Sequence, residues 1–402
     1  MAYCDAAAVL LWLCIPALVF ADQAYVGAAP NGSLLLQPAP GQQVLVDGME
    51  FRSLANTVAL LQAQMTRVTR HLESLGSCPV VADTTTITGL SGTNKWIDGV
   101  LAGNGNVYGI PRDAQSALII NTMSNTADTT TISGLTTDAE KWWGGVLADN
   151  GKVYGMPYNS GSVLIIDPAT NTADVTTITG LAGSQKWAGG VLAPNGKIYG
   201  IPVKATSVLI INPVTNVADT TTLTGLDAGD GKWVGGVLAA NGKIYGIPHL
   251  ASTVLIVDPS TNTTDVTTIV GLGGDTKWFG DVLAGNGRIY CIPRNSAAVL
   301  IIDPSTNTAD ITSIAGLGGD IWKWQGGVLA GDGKIYGIPL LSKSVLVIDP
   351  ATNTVDTTSM AGLPSAASWR GGVLAPNGKI YGIPDASGAV LIIKRFCDGL
   401  AV

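Results

Sequence analysis

An all-β chain is predicted by three observations. A marker tryptophan recurs at Trp96, Trp142, Trp187, Trp233, Trp278, Trp324 and Trp369, so residues 80–394 read as seven near-copies of about 45 residues each. Every copy divides into four short apolar runs separated by turn residues, which is the pattern of a β-strand applied four times over. Glycine supplies 51 of the 402 residues, well above the roughly 7% of an average protein, and no helical periodicity interrupts the copies.

The third copy shows each element in order. "KWAGGVLA" is the first strand, and Pro194-Asn195-Gly196 turns it into "KIYGIP"; Asn-Gly between two strands marks a hairpin because both residues tolerate positive φ. Six copies carry Asn-Gly, and Asp332-Gly333 stands in the other. A loop leads to the third strand, "VLIIN", and an Asp-Pro or Asn-Pro turn such as Asp167-Pro168-Ala169-Thr170-Asn171 follows, its carboxylate placed to bond backbone N–H groups and its final Asn suited to the left-handed region. The Thr-rich run, such as Asp174 to Ile178, is expected to be the outermost strand, polar on its solvent side as an edge requires.

Four antiparallel strands repeated seven times predict a seven-bladed β-propeller; a linear solenoid is the competing architecture. The chain ends separate the two. The seventh copy stops after its third strand, Ala389 to Lys394, and a lone fourth strand opens the domain at Val80, so the N-terminus is expected to complete the last blade. Aligning those ends with a complete copy sets Cys78 and Cys397 at neighbouring positions of one turn, and a disulfide between them is expected. Cys291, in "YCIP", is read as a buried free thiol.

"LAPNGKIYGIP" together with "VLIIDPATNTADVTTI" resembles the YVTN type of β-propeller repeat and, more loosely, the NHL type. The resemblance covers residues 80 to 394 and implies a propeller fold and an extracellular or surface setting. "YGIP" departs from the family's own tetrapeptide, and the Trp-x-Gly-Gly start is peculiar to this chain, so the resemblance implies no activity.

Residues 1–21 read as a secretory signal peptide, with an apolar stretch from Ala6 to Phe20 and small residues Val19 and Ala21 before the cleavage point. Asp5 and the lack of Lys or Arg in the n-region leave an uncleaved anchor as the alternative. Residues 22–48 read as a flexible leader rich in Pro, Gly and Ala. Within 49–77, Phe51, Leu54, Val58, Leu61, Met65, Val68, Leu72 and Leu75 alternate at intervals of three and four, a heptad seam that predicts a coiled-coil stalk. A homodimer or homotrimer is expected from it, with a helix folded back on the propeller as the alternative. The propeller is assigned to residues 78–398. Export would make the sequons at Asn31 and Asn262 glycan acceptors.

A formal charge of −7 with no basic run excludes a sequence-independent grip on nucleic acid or anionic lipid. His71 and His249 are the only histidines, so neither a zinc cluster nor a Ser-His-Asp arrangement can be assembled, and no catalytic residue, metal or cofactor is assigned.

The candidate binding residues lie where the copies differ. The loop before each Trp and the loop after each "IP" project from one face of a propeller, and the second of these starts at Arg112, Tyr158, Val203, His249, Arg294, Leu340 and Asp385, with Lys204 and Lys343 inside it. The seven marker Trp are weighed as sugar-stacking rings at the channel mouth against packing between blades, and packing is the favoured role. Lysines before six of them, from Lys95 to Lys323, would form a positive collar. Asp98 and Asp281 break the glycine pattern of the strand nearest the axis and are the candidate channel acids. The expected function is a secreted or cell-surface, non-catalytic adhesion or binding protein that recognises a glycan or an extracellular protein. A structural matrix or cell-wall component is the first alternative, and a carbohydrate-acting hydrolase or lyase using Asp98 or Asp281 the second.

Overall fold

A computed structural model describes residues 25–28, 34–37, 45–46, 49–50, 79–364 and 368–396, and the chain divides into two units, Met1–Pro79 and Val80–Val402. In the first, Tyr25–Ala28 pairs antiparallel with Leu34–Gln37, and Leu45–Val46 with Met49–Glu50. The signal peptide, the heptad seam from Phe51 to Leu75, Asn31, Cys78 and Cys397 lie outside the described residues.

The second unit is seven four-stranded antiparallel sheets, with no α-helix among its described residues. In blade 3 the strands are Trp187–Leu192, Ile198–Pro202, Leu209–Asn212 and Val217–Asp219, in that spatial order. Blade 7 is completed from the other end of the chain: Leu391–Arg395 pairs with Val80–Asp83, and Lys394 Nζ lies 2.6 Å from the Asp83 carboxylate. This is the expected closure, and it excludes the solenoid.

Two turns differ from expectation in instructive ways. At the hairpin only the glycine takes positive φ, for example Gly196 at 73°, while Asn195 turns its Oδ1 onto the Lys197 N–H at 3.1 Å. Its Nδ2 is thereby free to donate to Tyr199 Oη at 2.9 Å and to the Pro259 carbonyl of the next blade. The outermost strand is only three residues, such as Thr172–Asp174, and the Thr run beyond it is not a strand. Asp174 Oδ1 instead accepts from the Thr176 N–H at 2.7 Å and its Oδ2 from the Thr177 hydroxyl, so the carboxylate gathers the Thr run into a turn and its pKa falls to about 2. A local side-chain acceptor has outcompeted the ladder.

The copied residues hold neighbouring blades together. Tyr154 Oη donates to Asn216 Oδ1 of the following blade at 2.9 Å, Tyr245 to Asn307 at 2.7 Å, and Tyr381 of blade 7 to Asn125 of blade 1 at 2.7 Å. The marker tryptophans are 0–4% exposed; Trp142 packs among Ile97, Val100 and Ile110 of blade 1 and Leu164 of its own blade, and its indole N–H donates to the Ser162 carbonyl at 2.8 Å. Packing between blades is therefore their role, and no indole face is left open for a sugar.

Candidate functional site at the variable mouth

Three successive positions after each marker Trp build the channel. The second is Asp98, Gly144, Gly189, Gly235, Gly280, Gly326 and Gly371, and here the inner strands touch around the axis. A Cβ on Gly189 would stand 2.8 Å from the Gly235 Cα, one on Gly280 2.6 Å from the Gly326 Cα, and one on Gly371 would strike Asp98, which completes the ring. The six glycines also have positive φ, between 68° and 90°, at a register shift in the strand. Both space and backbone therefore demand glycine.

At the third position, six blades pair a glycine with the glycine of "YGIP", or of "YGMP" in blade 2, as Gly190 with Gly200; blade 5 pairs Asp281 with Cys291. Both glycines have been replaced in one blade at directly opposed positions. Cys291 is a fully buried free thiol whose pKa is driven up by burial. Asp281 Oδ1 lies 2.9 Å from where a Gly235 Cβ would be, so its carboxylate reaches the axial ring. Asp98 and Asp281 share a cavity of about 190 Å³ on the axis. Burial raises each to about 7, and the charge of Asp98 adds to the shift of Asp281. Among the described residues no group of three or more His, Cys, Asp or Glu could hold a metal ion.

The first position after each Trp is Ile97, Trp143, Ala188, Val234, Phe279, Gln325 and Arg370, and five of these, Ile97, Trp143, Val234, Phe279 and Gln325, roof this cavity at the variable face. The Trp143 ring lies 4.5 Å from Tyr158 and 6.0 Å from Phe279, three blades away, so aromatic side chains meet across the axis. The loop residues after "IP" stand beside this roof. Arg112 pairs with Glu140 and lies over the Trp143 ring at 5.4 Å. Arg370 Nε is 3.0 Å from Asp385 Oδ2, and Arg370 Nη1 donates to Gln325 Oε1 at 3.4 Å. Arg294 Nη1 meets His249 Nε2 at 3.3 Å.

The lysines of the expected collar are 0–5% exposed. Lys186 Nζ donates to the carbonyls of Tyr158, Ser160 and Gly183, and Lys277 to those of His249, Ala251 and Gly274. Burial pushes Lys186 down to about 8. These lysines staple each loop to the preceding blade and present no open collar. Backbone bonds follow the same path, as in Lys141 N–H to the Arg112 carbonyl and Tyr158 N–H to the Lys141 carbonyl.

Of the sequence candidates, then, Arg112, Tyr158, His249, Arg294 and Asp385 converge on the mouth, above the Asp98 and Asp281 cavity. Lys204 pairs instead with Asp230 at 3.2 Å, Lys343 is exposed away from the cluster, and Asn262 is exposed in its turn. Glu140, Trp143, Phe279, Gln325 and Trp322 join the mouth unforeseen. The signal for three of them was present: one position past an unvarying Trp, the side chain changes in every copy.

No protein-family model matches the chain, and no curated protein sequence matches it. Its fold is similar to a streptogramin B lyase structure, at a TM-score of 0.62 and 10% identity over 79% of this chain and 98% of that one. It is similar to virginiamycin B lyase from Staphylococcus aureus with quinupristin, at 0.60 and 10% over 78% and 98%. It is also similar to the extracellular domain of the one component system BT4673 from B. thetaiotaomicron, at 0.57 and 10% over 79% and 43%. Identity this low speaks for the fold alone. The chain is a seven-bladed β-propeller of four-stranded antiparallel blades, and its structural neighbours are YVTN/NHL-like propellers such as streptogramin B lyase.

Proposed function

We propose that this protein is an exported, non-catalytic binding protein whose propeller recognises a glycan at the variable mouth, with the heptad segment joining two or three copies. One observation carries the reading. Seven buried side-chain polar atoms make no aligned hydrogen bond among the described residues, although Arg370 Nε stays ion-paired with Asp385: Arg112 Nε, Trp143 Nε1, His249 Nδ1, Arg294 Nε, Gln325 Nε2, Arg370 Nε and Asp385 Oδ1. All seven belong to the one mouth. Buried polar groups are almost always satisfied, and leaving one unmet costs about 1–3 kcal/mol, so such a concentration supports a site completed by a ligand.

The aromatic walls and the polar tips between them suit a ring with an apolar face and a hydroxylated edge. The constant face also carries a groove, lined by Asn241, Asn286, Arg288 and Asp303, but among the described residues none of its buried side-chain polar atoms lacks a partner. Export is supported by the apolar N-terminal stretch and by the extracellular setting named for the BT4673 domain. Linking weak sites through the stalk would raise avidity by about 10² to 10⁴.

Glycan-array binding by the full chain tests the reading, with Trp143→Ala as the comparison. Specific signals that fall in the variant support it, and a flat array refutes it. An unchanged size after deletion of residues 50 to 77 would remove the oligomer. A second reading, an elimination or hydrolysis enzyme, is favoured by two carboxyls held near pH 7 in the axial cavity. It requires turnover that Asp98→Asn or Asp281→Asn abolishes.

A further inference from the structure

We propose that Arg294 is the seat for a carboxylate borne on a sugar ring, so that the mouth selects uronic-acid units; this rests on the binding reading above. The charges around the mouth are unevenly matched. Arg112 is met by Glu140, and Arg370 by Asp385, which also lies 3.9 Å from Arg112. Arg294, 8% exposed, has no carboxylate partner among the described residues. Its polar contact is His249, and its guanidinium lies between two rings, 5.4 Å from the centre of Phe279 and 4.8 Å from that of Trp322. The other two arginines repel it, and burial and that repulsion together bring its pKa down to about 10, so it remains a cation at neutral pH.

A buried cation without a counter-charge is costly unless a ligand supplies one. The neighbouring groups have the same deficit. Burial and the two adjacent cations, Arg294 and Lys277, hold His249 neutral, its pKa lowered to about 3. With Nε2 facing the Arg294 donor, the proton sits on Nδ1, which finds no acceptor. Trp143 Nε1, Gln325 Nε2 and Arg112 Nε are likewise donors without acceptors. Five unmatched donors, one of them on an unpaired cation, stand against a single unmatched acceptor, Asp385 Oδ1 beside Arg112, and describe a site short of acceptor oxygens.

Trp322 supplies the ring-binding half. It is 41% exposed, although it stacks on Arg294 and holds a φ of 59°, a backbone conformation strained for an aromatic residue. Asn295, the residue after Arg294, fixes it there by accepting the Trp322 N–H at 2.7 Å. Ile321 and Leu341 extend the same apolar lip, 64% and 51% exposed. A flat, C–H-rich sugar face against Trp322 places a ring carboxylate beside the Arg294 guanidinium.

Titration calorimetry of the full chain tests this with four probes: trigalacturonate, its methyl ester, a glucuronate trimer and a neutral glucan trimer. One or both acids are expected to bind, and the methyl ester at least tenfold more weakly. Arg294→Gln should lose ten- to hundredfold toward the acid and no longer distinguish it from its ester. Trp322→Ala should weaken acid and ester alike. Lys243→Gln removes the same charge from the opposite face, where Lys243 pairs with Asp258 at 3.8 Å, and should change nothing. Equal binding of acid and ester, or an unaffected Arg294→Gln of unchanged melting temperature, overturns the carboxylate seat and leaves glycan binding standing. Binding of the neutral glucan alone does the same, whereas no binding of any probe overturns both.

Discussion

Replacing Asp281 by Asn should stabilise the propeller at pH 8 and leave it unchanged at pH 4. In the folded chain this carboxyl is raised from 3.8 to about 7 by burial and by the charge of Asp98. Between those values the folded state holds a proton that the unfolded state has lost, so unfolding free energy falls as pH rises through the window and levels off above it. A difference of about three units corresponds to about 4 kcal/mol for an isolated group. The half-buried carboxylate faces the channel, where solvent screens it, and about 2 kcal/mol is the expected gain. Urea unfolding of wild type and variant at pH 4, 6 and 8 measures it, and taking the difference cancels the outer Asp turns, whose pKa values are lowered. Asp98→Asn should behave similarly. The double variant should gain less than the sum, because either single change already removes the mutual repulsion. Parallel pH profiles for wild type and Asp281→Asn would refute the reasoning.

Gly189→Ala should cost about 3 kcal/mol or more, since its Cβ would lie 2.8 Å from the Gly235 backbone at a φ of 76°. Gly196→Ala, at a similar φ of 73° with its nearest neighbour 3.9 Å away, should cost only about 1 kcal/mol, and equal losses in denaturant would discredit the axial ring. Tyr154→Phe removes the 2.9 Å bond to Asn216 of the next blade and should cost about 1 kcal/mol in the same assay. Non-reducing peptide mapping should find Cys78 joined to Cys397, because Val80–Asp83 and Leu391–Arg395 pair antiparallel just inside them; separate peptides would refute the bridge.

The fold was legible because each blade solves the same local problem with the same residues. Asn-Gly, Asp-Pro and Thr-Asn announce turns through their own backbone preferences, and the missing fourth strand of blade 7 announced the closure. The Thr run was misread for an equally local reason: β propensity favours a strand there, but Asp174 two and three residues earlier offers a nearer acceptor.

The mouth was legible only in part. Variation among copies pointed to Arg112, Tyr158, His249, Arg294 and Asp385, and marked Asp98 and Asp281 as exceptions. It pointed equally to Lys204 and Lys343, which the fold carries elsewhere, and it read the lysines as a collar when their amino groups turn inward to carbonyls.

The seven-fold period, the strand count and the face on which the copies differ are properties of the chain alone, since turn chemistry and apolar patterning act within a few residues. The pairing of each charge was decided by tertiary structure alone. Arg112 finds Glu140 of the next blade and Arg370 finds Asp385, while Arg294 meets only a neutral histidine and two aromatic rings. Such partners lie on different loops within one blade or on neighbouring blades, up to 45 residues apart, and only the folding of each blade and its packing on the next brings them within reach.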